Sequence, residues 1–207
     1  MIITYFGKQF FKIQQGEMVL AFNPDSQLSK SFGADIAFTT TNHPDYNATS
    51  QLTYGDRVPF VISGPGDYEV KEIFVKGVLS SFIFNGKKYI NTLYSFTLDG
   101  MKISFLGALT NGDISKDVRE SIDGPDVLFI PVGGDSETEG VLDAKTAAKL
   151  ASSLEAKIII PMDYDSTTLK YFLKEMGEEK AEVVDKLTLK RKDIEGKEGE
   201  VIVIKTS

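Results

Sequence analysis

The sequence has no cysteine, no tryptophan and a single histidine, His43, among its 207 residues. The absence of cysteine excludes disulfides, thiolate-bound metals and a cysteine nucleophile. A histidine-rich pair of zinc sites is excluded by number alone, because each ion needs about three to four nitrogen or oxygen ligands. A Ser/His/Asp triad would have to use His43 as its base, and the chain contains no Gly-x-Ser-x-Gly motif.

Positive charge and long apolar runs are also scarce. Lysine and arginine total 23 against 30 aspartates and glutamates, which gives a formal net charge of -7. This balance argues against nucleic acid as the main partner, because phosphate binding needs a basic surface. No apolar run approaches the roughly 20 residues that cross a bilayer, and the first residues alternate like strands rather than like a signal peptide. We therefore expect a cytoplasmic protein with no membrane partner.

The residues that are present indicate one globular α/β domain over residues 1–207. The apolar fraction of 42% is sufficient for a sizeable core. Strand-like runs dominate to about residue 105, and Asn85-Gly86 and Asp99-Gly100 are typical of hairpin turns. Helices and buried strands alternate afterwards, and the helices are predicted to begin after three capping residues: Ser115, Asp143 and Asp165 or Ser166. The tail from Lys186 onward is predicted to be a charged β-hairpin.

The segment "TTTNHPDYNA", residues 39–48, holds the most specific candidate for chemistry. His43 and Asp45 follow a predicted strand and, with another carboxylate, offer ligands for one weakly bound metal ion. The competing interpretation, which we favour, is a plain loop of turn-forming residues. Asp163 follows another buried strand, a place where α/β proteins put functional groups, but it is equally typical of a helix cap.

Several motifs in order resemble the metallo-β-lactamase superfamily, in particular its short bacterial branch of predicted zinc-dependent hydrolases. They are "FTTTNHPDYN", "GPGDYEV", "FLGAL", "DVLFIPVGG" and "AKIIIPMDY". The resemblance covers nearly the whole chain and implies a four-layer αββα sandwich with a metal site at one edge. It also implies attack of a metal-activated hydroxide on an ester, lactone or phosphodiester.

Carried over position by position, the resemblance implies a metal site that has lost most of its ligands. The remnants are His43, Asp45 and Asp163, of which Asp163 stands where the family has its last histidine. Other family ligands fall on residues that cannot replace them: Thr41, Tyr46, Phe82 and, at the bridging aspartate, Ala108. Two further family residues near this site, a histidine and an aspartate, fall on Lys8 and Asn23. We therefore expect a binding or assembly module with no cofactor and no two-zinc hydrolase activity.

Two alternatives remain open. The first is a metal-dependent hydrolase that holds one zinc or manganese ion weakly on a rebuilt carboxylate site. Its candidate ligands are His43, Asp45 and Asp163, with Asp135, Glu137 or Asp165 from neighbouring loops, and Asp45 would be catalytic. The second is a pocket for an apolar small molecule, lined by His43, Tyr46 and Phe82. The partner is predicted only as an unknown small molecule or protein.

Overall fold

In the computed structural model the described residues, 1–26, 32–134 and 140–207, form two β-sheets and three α-helices. The first sheet has the strand order β13-β1-β2-β3-β4-β5. Its strands are β1 (Ile2–Gly7), β2 (Phe10–Gln15), β3 (Met18–Phe22), β4 (Ile36–Phe38), β5 (Phe60–Ile62) and β13 (Leu187–Thr188). Within it β3, β4 and β5 run parallel, so their carboxyl ends meet at one rim.

The second sheet has the order β12-β14-β11-β10-β9-β8-β7-β6. Its strands are β6 (Gly66–Val70), β7 (Ile73–Phe84), β8 (Lys87–Leu98), β9 (Met101–Phe105), β10 (Val127–Pro131), β11 (Ile158–Met162), β12 (Glu182–Val184) and β14 (Glu200–Ile204). The predicted hairpin turns are confirmed, since Asn85-Gly86 joins β7 to β8 and Asp99-Gly100 joins β8 to β9. All four turn residues have the positive φ that such turns require.

Successive side chains along the buried strands point to opposite faces of the sheet and thus contribute to two separate hydrophobic cores. In β10, Val127 and Phe129 point between the two sheets, whereas Leu128 and Ile130 point toward the helices. Both sets are fully buried, which explains why the strand reads as a continuous apolar run in the sequence.

The three helices are α1 (Lys116–Ile122), α2 (Ala144–Ser153) and α3 (Ser166–Met176). The helices begin after the predicted residues Ser115, Asp143 and Asp165, but the Ser115 side chain makes no capping hydrogen bond. The Asp143 carboxylate accepts from the backbone N–H groups of Lys145 and Thr146, and Asp165 caps α3 in the same way. The helices contribute to the core on the outer face of the second sheet. On the outer face of the first sheet the described residues place a 3₁₀ helix, Thr49–Leu52, and a small cluster around Phe10. The architecture is that of the predicted αββα sandwich, with its outermost layer reduced on that side.

The tail was wrongly predicted to be a hairpin. Strand β13 pairs antiparallel with β1 in the first sheet, whereas β14 pairs parallel with β11 in the second. A 3₁₀ helix, Arg191–Ile194, separates the two strands. The basic run Lys190–Lys192 is exposed but lies on this helical turn rather than on an edge strand. The pattern of β-formers was correct, but periodicity does not show that two neighbouring strands belong to different sheets.

No helix in the described part of the chain is long and apolar enough to cross a membrane.

Candidate functional site

The predicted site residues lie at one rim of the sandwich, where several strands end, and all except Phe82 of β7 are on loops. Lys8 lies in the β1–β2 turn, Asp45 in the loop after β4, Ala108 after β9 and Asp163 directly after β11. Gly107 allows these loops to approach each other, because a Cβ there would lie 2.5 Å from the Thr40 Cβ. The rim therefore brings together residues more than 150 positions apart.

A lysine occupies the centre of the acidic part of the rim. The Lys8 Nζ lies 3.1 Å from the Asp45 carboxylate and 3.3 Å from the Asp25 carboxylate, an arrangement we name the lysine bridge. Burial lowers the pKa of Lys8, but the two carboxylates outweigh it and hold that pKa above its usual value. The ammonium is therefore charged at neutral pH, and it engages one of the three remnant side chains, Asp45.

Asp163 belongs to a separate, hydrogen-bonded arrangement. Its Oδ2 accepts from Gln9 Nε2 at 2.8 Å and from the Tyr46 hydroxyl at 3.2 Å. Burial raises the pKa of Asp163, while the hydrogen bonds from Gln9 and Tyr46 and the charge of Lys8 partly counter that rise. Burial and the Asp163 charge also raise the pKa of Tyr46, which keeps the phenol protonated as a donor.

Gln9 connects Asp163 to a buried polar network. Asn23 Nδ2 donates to Gln9 Oε1 and to Thr40 Oγ1, both at 2.9 Å, and Asn23 Oδ1 accepts from the Thr40 N–H at 2.8 Å. Gln9, Asn23 and Thr40 are each at most 1% exposed. Buried amides of this kind are stable only when they are paired, and here the side chains pair with one another. Lys8, Asn23 and Asp163 all adopt positive φ, which marks the local backbone as strained.

His43 lies among aromatic rings. Its ring centroid is 5.5–6.3 Å from those of four other side chains, which with it form what we name the aromatic cluster: Tyr46, Phe82, Phe84 and Tyr89. Its Nδ1 accepts from the Asp45 N–H at 3.3 Å. Tyr46, Phe82 and Ala108 pack into one buried apolar group with Val141.

The structure thus divides the predicted residues. Asp45 is in the lysine bridge, Asp163 joins the Gln9 network, and His43 is in the aromatic cluster. Thr41 is buried, and its hydroxyl has no hydrogen-bond partner within the described ranges. Asp165 caps α3, and Asp135 and Glu137 lie outside the described residues. Within the described ranges, no three His, Cys, Asp or Glu side chains are placed to hold a metal ion.

Sequence reasoning missed Gln9, Asp25 and Thr40. Gln9 and Asp25 belong to no motif, and Thr40 lies in "FTTTNHPDYN" but was assigned no role there. Each acquires its role from partners that the fold brings from other loops. Gln9 and Thr40 are fully buried, but a single sequence does not display the burial of a polar residue.

The profile of the beta-lactamase superfamily domain matches residues 2–163. The chain belongs to the metallo-β-lactamase superfamily.

Several solved structures share the architecture. A proposed zinc-dependent hydrolase from Thermotoga maritima is 27% identical, with a TM-score of 0.73 over 98% of this chain and 97% of that one. A proposed metal-dependent hydrolase from Parabacteroides distasonis is 17% identical, with a TM-score of 0.67 over 84% of this chain and 89% of that one. An isothiocyanate hydrolase from gut bacteria of Delia radicum is 11% identical, with a TM-score of 0.64 over 100% and 97%. The last two likenesses show the fold alone. No curated protein sequence matches the chain significantly.

Proposed function

We propose that this chain is a metal-independent member of the metallo-β-lactamase superfamily, which acts as a binding or assembly module rather than as a two-zinc hydrolase. The observation that carries the proposal is the lysine bridge. An ammonium 3.1 Å from Asp45 supplies the positive charge that a metal ion supplies to an aspartate ligand. A divalent ion beside Asp45 would lie within a few ångströms of that ammonium and would have to displace it.

The neighbouring side chains support the same proposal. Zinc requires nitrogen, sulfur or oxygen donors, and Phe82 and Ala108 offer none. Ala108 is fully buried and in contact with an apolar group. The available donors are also committed elsewhere, because Asp163 already accepts two hydrogen bonds from Gln9 and Tyr46. The residues of this rim therefore do not fit a pair of zinc ions.

The packing of the aromatic cluster argues against a ligand pocket between His43, Tyr46 and Phe82. Tyr46 and Phe82 are 6% and 3% exposed, and their ring centroids are 6.1 Å apart. Rings packed at this distance fill the space between them. The cluster therefore supports a structural role, and a binding function belongs elsewhere on the rim.

A second candidate, a hydrolase with one metal on a rebuilt carboxylate site, is favoured by one observation. The charges of Asp163, Asp45 and Asp25 all act on Tyr46, so three carboxylates converge on this side of the rim. A zinc or manganese ion that displaced Lys8 would find oxygen ligands there.

Metal content distinguishes the two candidates. We expect protein purified without chelator or affinity metal to carry far less than one equivalent of zinc or manganese by mass spectrometry. Calorimetric titration of either metal should give the same weak response for the wild type, Asp45→Ala and Asp163→Ala. Lys8→Ala is the sharper variant, because removal of the competing ammonium should increase zinc binding. Near-stoichiometric metal in the wild type that is lost in Asp45→Ala, together with Asp45-dependent hydrolysis of p-nitrophenyl esters or phosphodiesters, would instead establish the hydrolase.

A further inference from the structure

A polar cleft lies on the same rim, next to the aromatic cluster and at the carboxyl ends of β4 and β5. We name it the threonine cleft. Its volume is about 470 Å³, within the usual range of small-molecule sites. Open sheets bind ligands outside the carboxyl ends of parallel strands, which is where this cleft lies. Of the seven predicted site residues only Thr41 lines it.

The lining is built by three segments and carries no charged side chain among its described residues. The loop after β4 contributes Thr39 to Asn42, the end of β5 contributes Val61 and Ser63, and β8 contributes Ile90 and Thr92. Asn47 and Thr49 complete the wall. Hydroxyl and amide groups thus face a common space together with the aliphatic side chains of Val61 and Ile90.

Thr41 provides an independent indication of a ligand. Its side chain is 3% exposed, and its hydroxyl has no hydrogen-bond partner among the described residues. A buried hydroxyl without a partner destabilises a protein, and such groups are rare in folded structures. By contrast the neighbouring Thr40 hydroxyl accepts from Asn23. The missing partner of Thr41 is explained if a group that enters the cleft supplies it.

The apolar part of the cleft wall further restricts the kind of ligand that would fit. Val61 and Ile90 are 41% and 60% exposed, so they offer aliphatic surface at the cleft. A ligand with polar groups on one face and C–H groups on the other would match both parts. The absence of charged side chains from the described lining disfavours phosphates, carboxylates and metal ions, which need opposite charge or several charged ligands.

We propose that the threonine cleft binds an uncharged small molecule that carries several hydroxyl or amide groups, of the monosaccharide or nucleoside class, through Thr41, Ser63 and their neighbours. The inference rests on the proposed function in one respect: Thr41, where the family has a metal ligand, is free to contact an organic ligand.

The test is NMR titration of the isotopically labelled full chain with glucose, ribose, adenosine and uridine. Glucose 6-phosphate and adenosine monophosphate serve as charged counterparts. Additions up to about 10 mM detect dissociation constants in the millimolar range. We expect at least one neutral compound to shift the backbone signals of Thr39 to Asn42, Ser63 and Thr92, and to bind at least tenfold more tightly than its phosphorylated form. Thr41→Val and Ser63→Ala should each weaken binding at least fivefold.

Thr97→Val is the matched control, because Thr97 is exposed on the same strand, β8, as Thr92 but does not line the cleft. It should leave binding unchanged. The Thr41→Val variant should fold, with a melting temperature at least equal to that of the wild type. The inference is wrong if no neutral compound shifts these signals, if charged compounds bind as well, or if Thr41→Val binds like the wild type.

Repeating the titration with excess chelator and with added zinc separates this inference from the proposed function. Binding in chelator supports both. Binding only with zinc would contradict the proposed function, whereas no binding in either condition, with no metal bound, would overturn this inference alone.

Discussion

The lysine bridge and the threonine cleft occupy the same rim of the sandwich, but they differ in whether their buried polar groups are paired. Around Lys8 and Asp163, charges and amides are paired with one another across several loops. In the cleft the Thr41 hydroxyl is buried and meets no hydrogen-bond partner in the part of the chain that the structure describes. Polar side chains that form hydrogen bonds with one another contribute to stability. A buried polar group without such a bond can form one with a ligand. We therefore expect the surroundings of the lysine bridge to contribute stability and the threonine cleft to bind a ligand.

The largest effect should come from the aromatic cluster, which belongs to the stabilising side. Phe82→Ala should lower the free energy of unfolding by about 3–5 kcal/mol, because it leaves a cavity beside Tyr46, Tyr89 and Ala108. Chemical denaturation followed by circular dichroism measures the loss. The control, Phe74→Ala on the same strand, removes a ring that is 68% exposed and should change stability by about 0.5 kcal/mol or less. Equal losses in the two variants would show that Phe82 has no special structural role.

Two adjacent threonines test the comparison most directly. Thr40→Val should cost about 1–3 kcal/mol, because Asn23 loses a buried hydrogen-bond acceptor. Thr41→Val should cost nothing and is expected to stabilise the chain by about 1 kcal/mol or less, since the lost hydroxyl had no partner. The same denaturation experiment measures both. If both variants lost similar stability, Thr41 would have a partner and the contrast between the two sides of the rim would fail.

The smallest effect is expected at the lysine bridge, where solvent screens the charges. Lys8→Met should lower stability by about 0.5–1 kcal/mol at neutral pH and low salt. The pKa of Lys8 is raised on folding, so its contribution is present below the usual lysine pKa of 10.5 and disappears as the pH rises through the higher folded value. The difference between wild type and variant should therefore shrink above pH 10.5 and at high salt. A difference that grows with pH would contradict the bridge. Lys205→Met, which removes a more exposed pair with Asp185, should produce no measurable change.

Much of the fold could be predicted from the sequence because the helix caps and the glycine-containing turns are local signals. Asp143 caps its helix through N–H groups only two and three residues away. Local sequence signals did not indicate a turn where the residues adopt a backbone conformation that their types rarely adopt. The turn between β6 and β7 uses Lys71 and Glu72, both with positive φ, in place of the glycine or asparagine that marks such turns.

The candidate site could be predicted only in part, for a different physical reason. Motif order located the rim and the positions at which the resemblance places metal ligands. It did not identify the lysine bridge, because Lys8 meets Asp25 and Asp45 only after three loops converge. The threonine cleft was likewise not predicted, although three consecutive threonines of "FTTTNHPDYN" build part of its wall, because the rest of the wall comes from β5 and β8.

The division of the tail between two sheets has a consequence for synthesis on the ribosome. Strand β13 is made long after its partner β1, because Ile3 pairs with Leu187. Strand β11 also waits for β14, which separates it from β12 in the finished sheet. The edges of β1 and β11 therefore stay unpaired until β13 and β14 have been made, and such edges pair readily with other chains. Pairing across so many residues is intrinsically slow. A partly synthesised chain that lacks β13 and β14 should accordingly aggregate more readily than one that contains them.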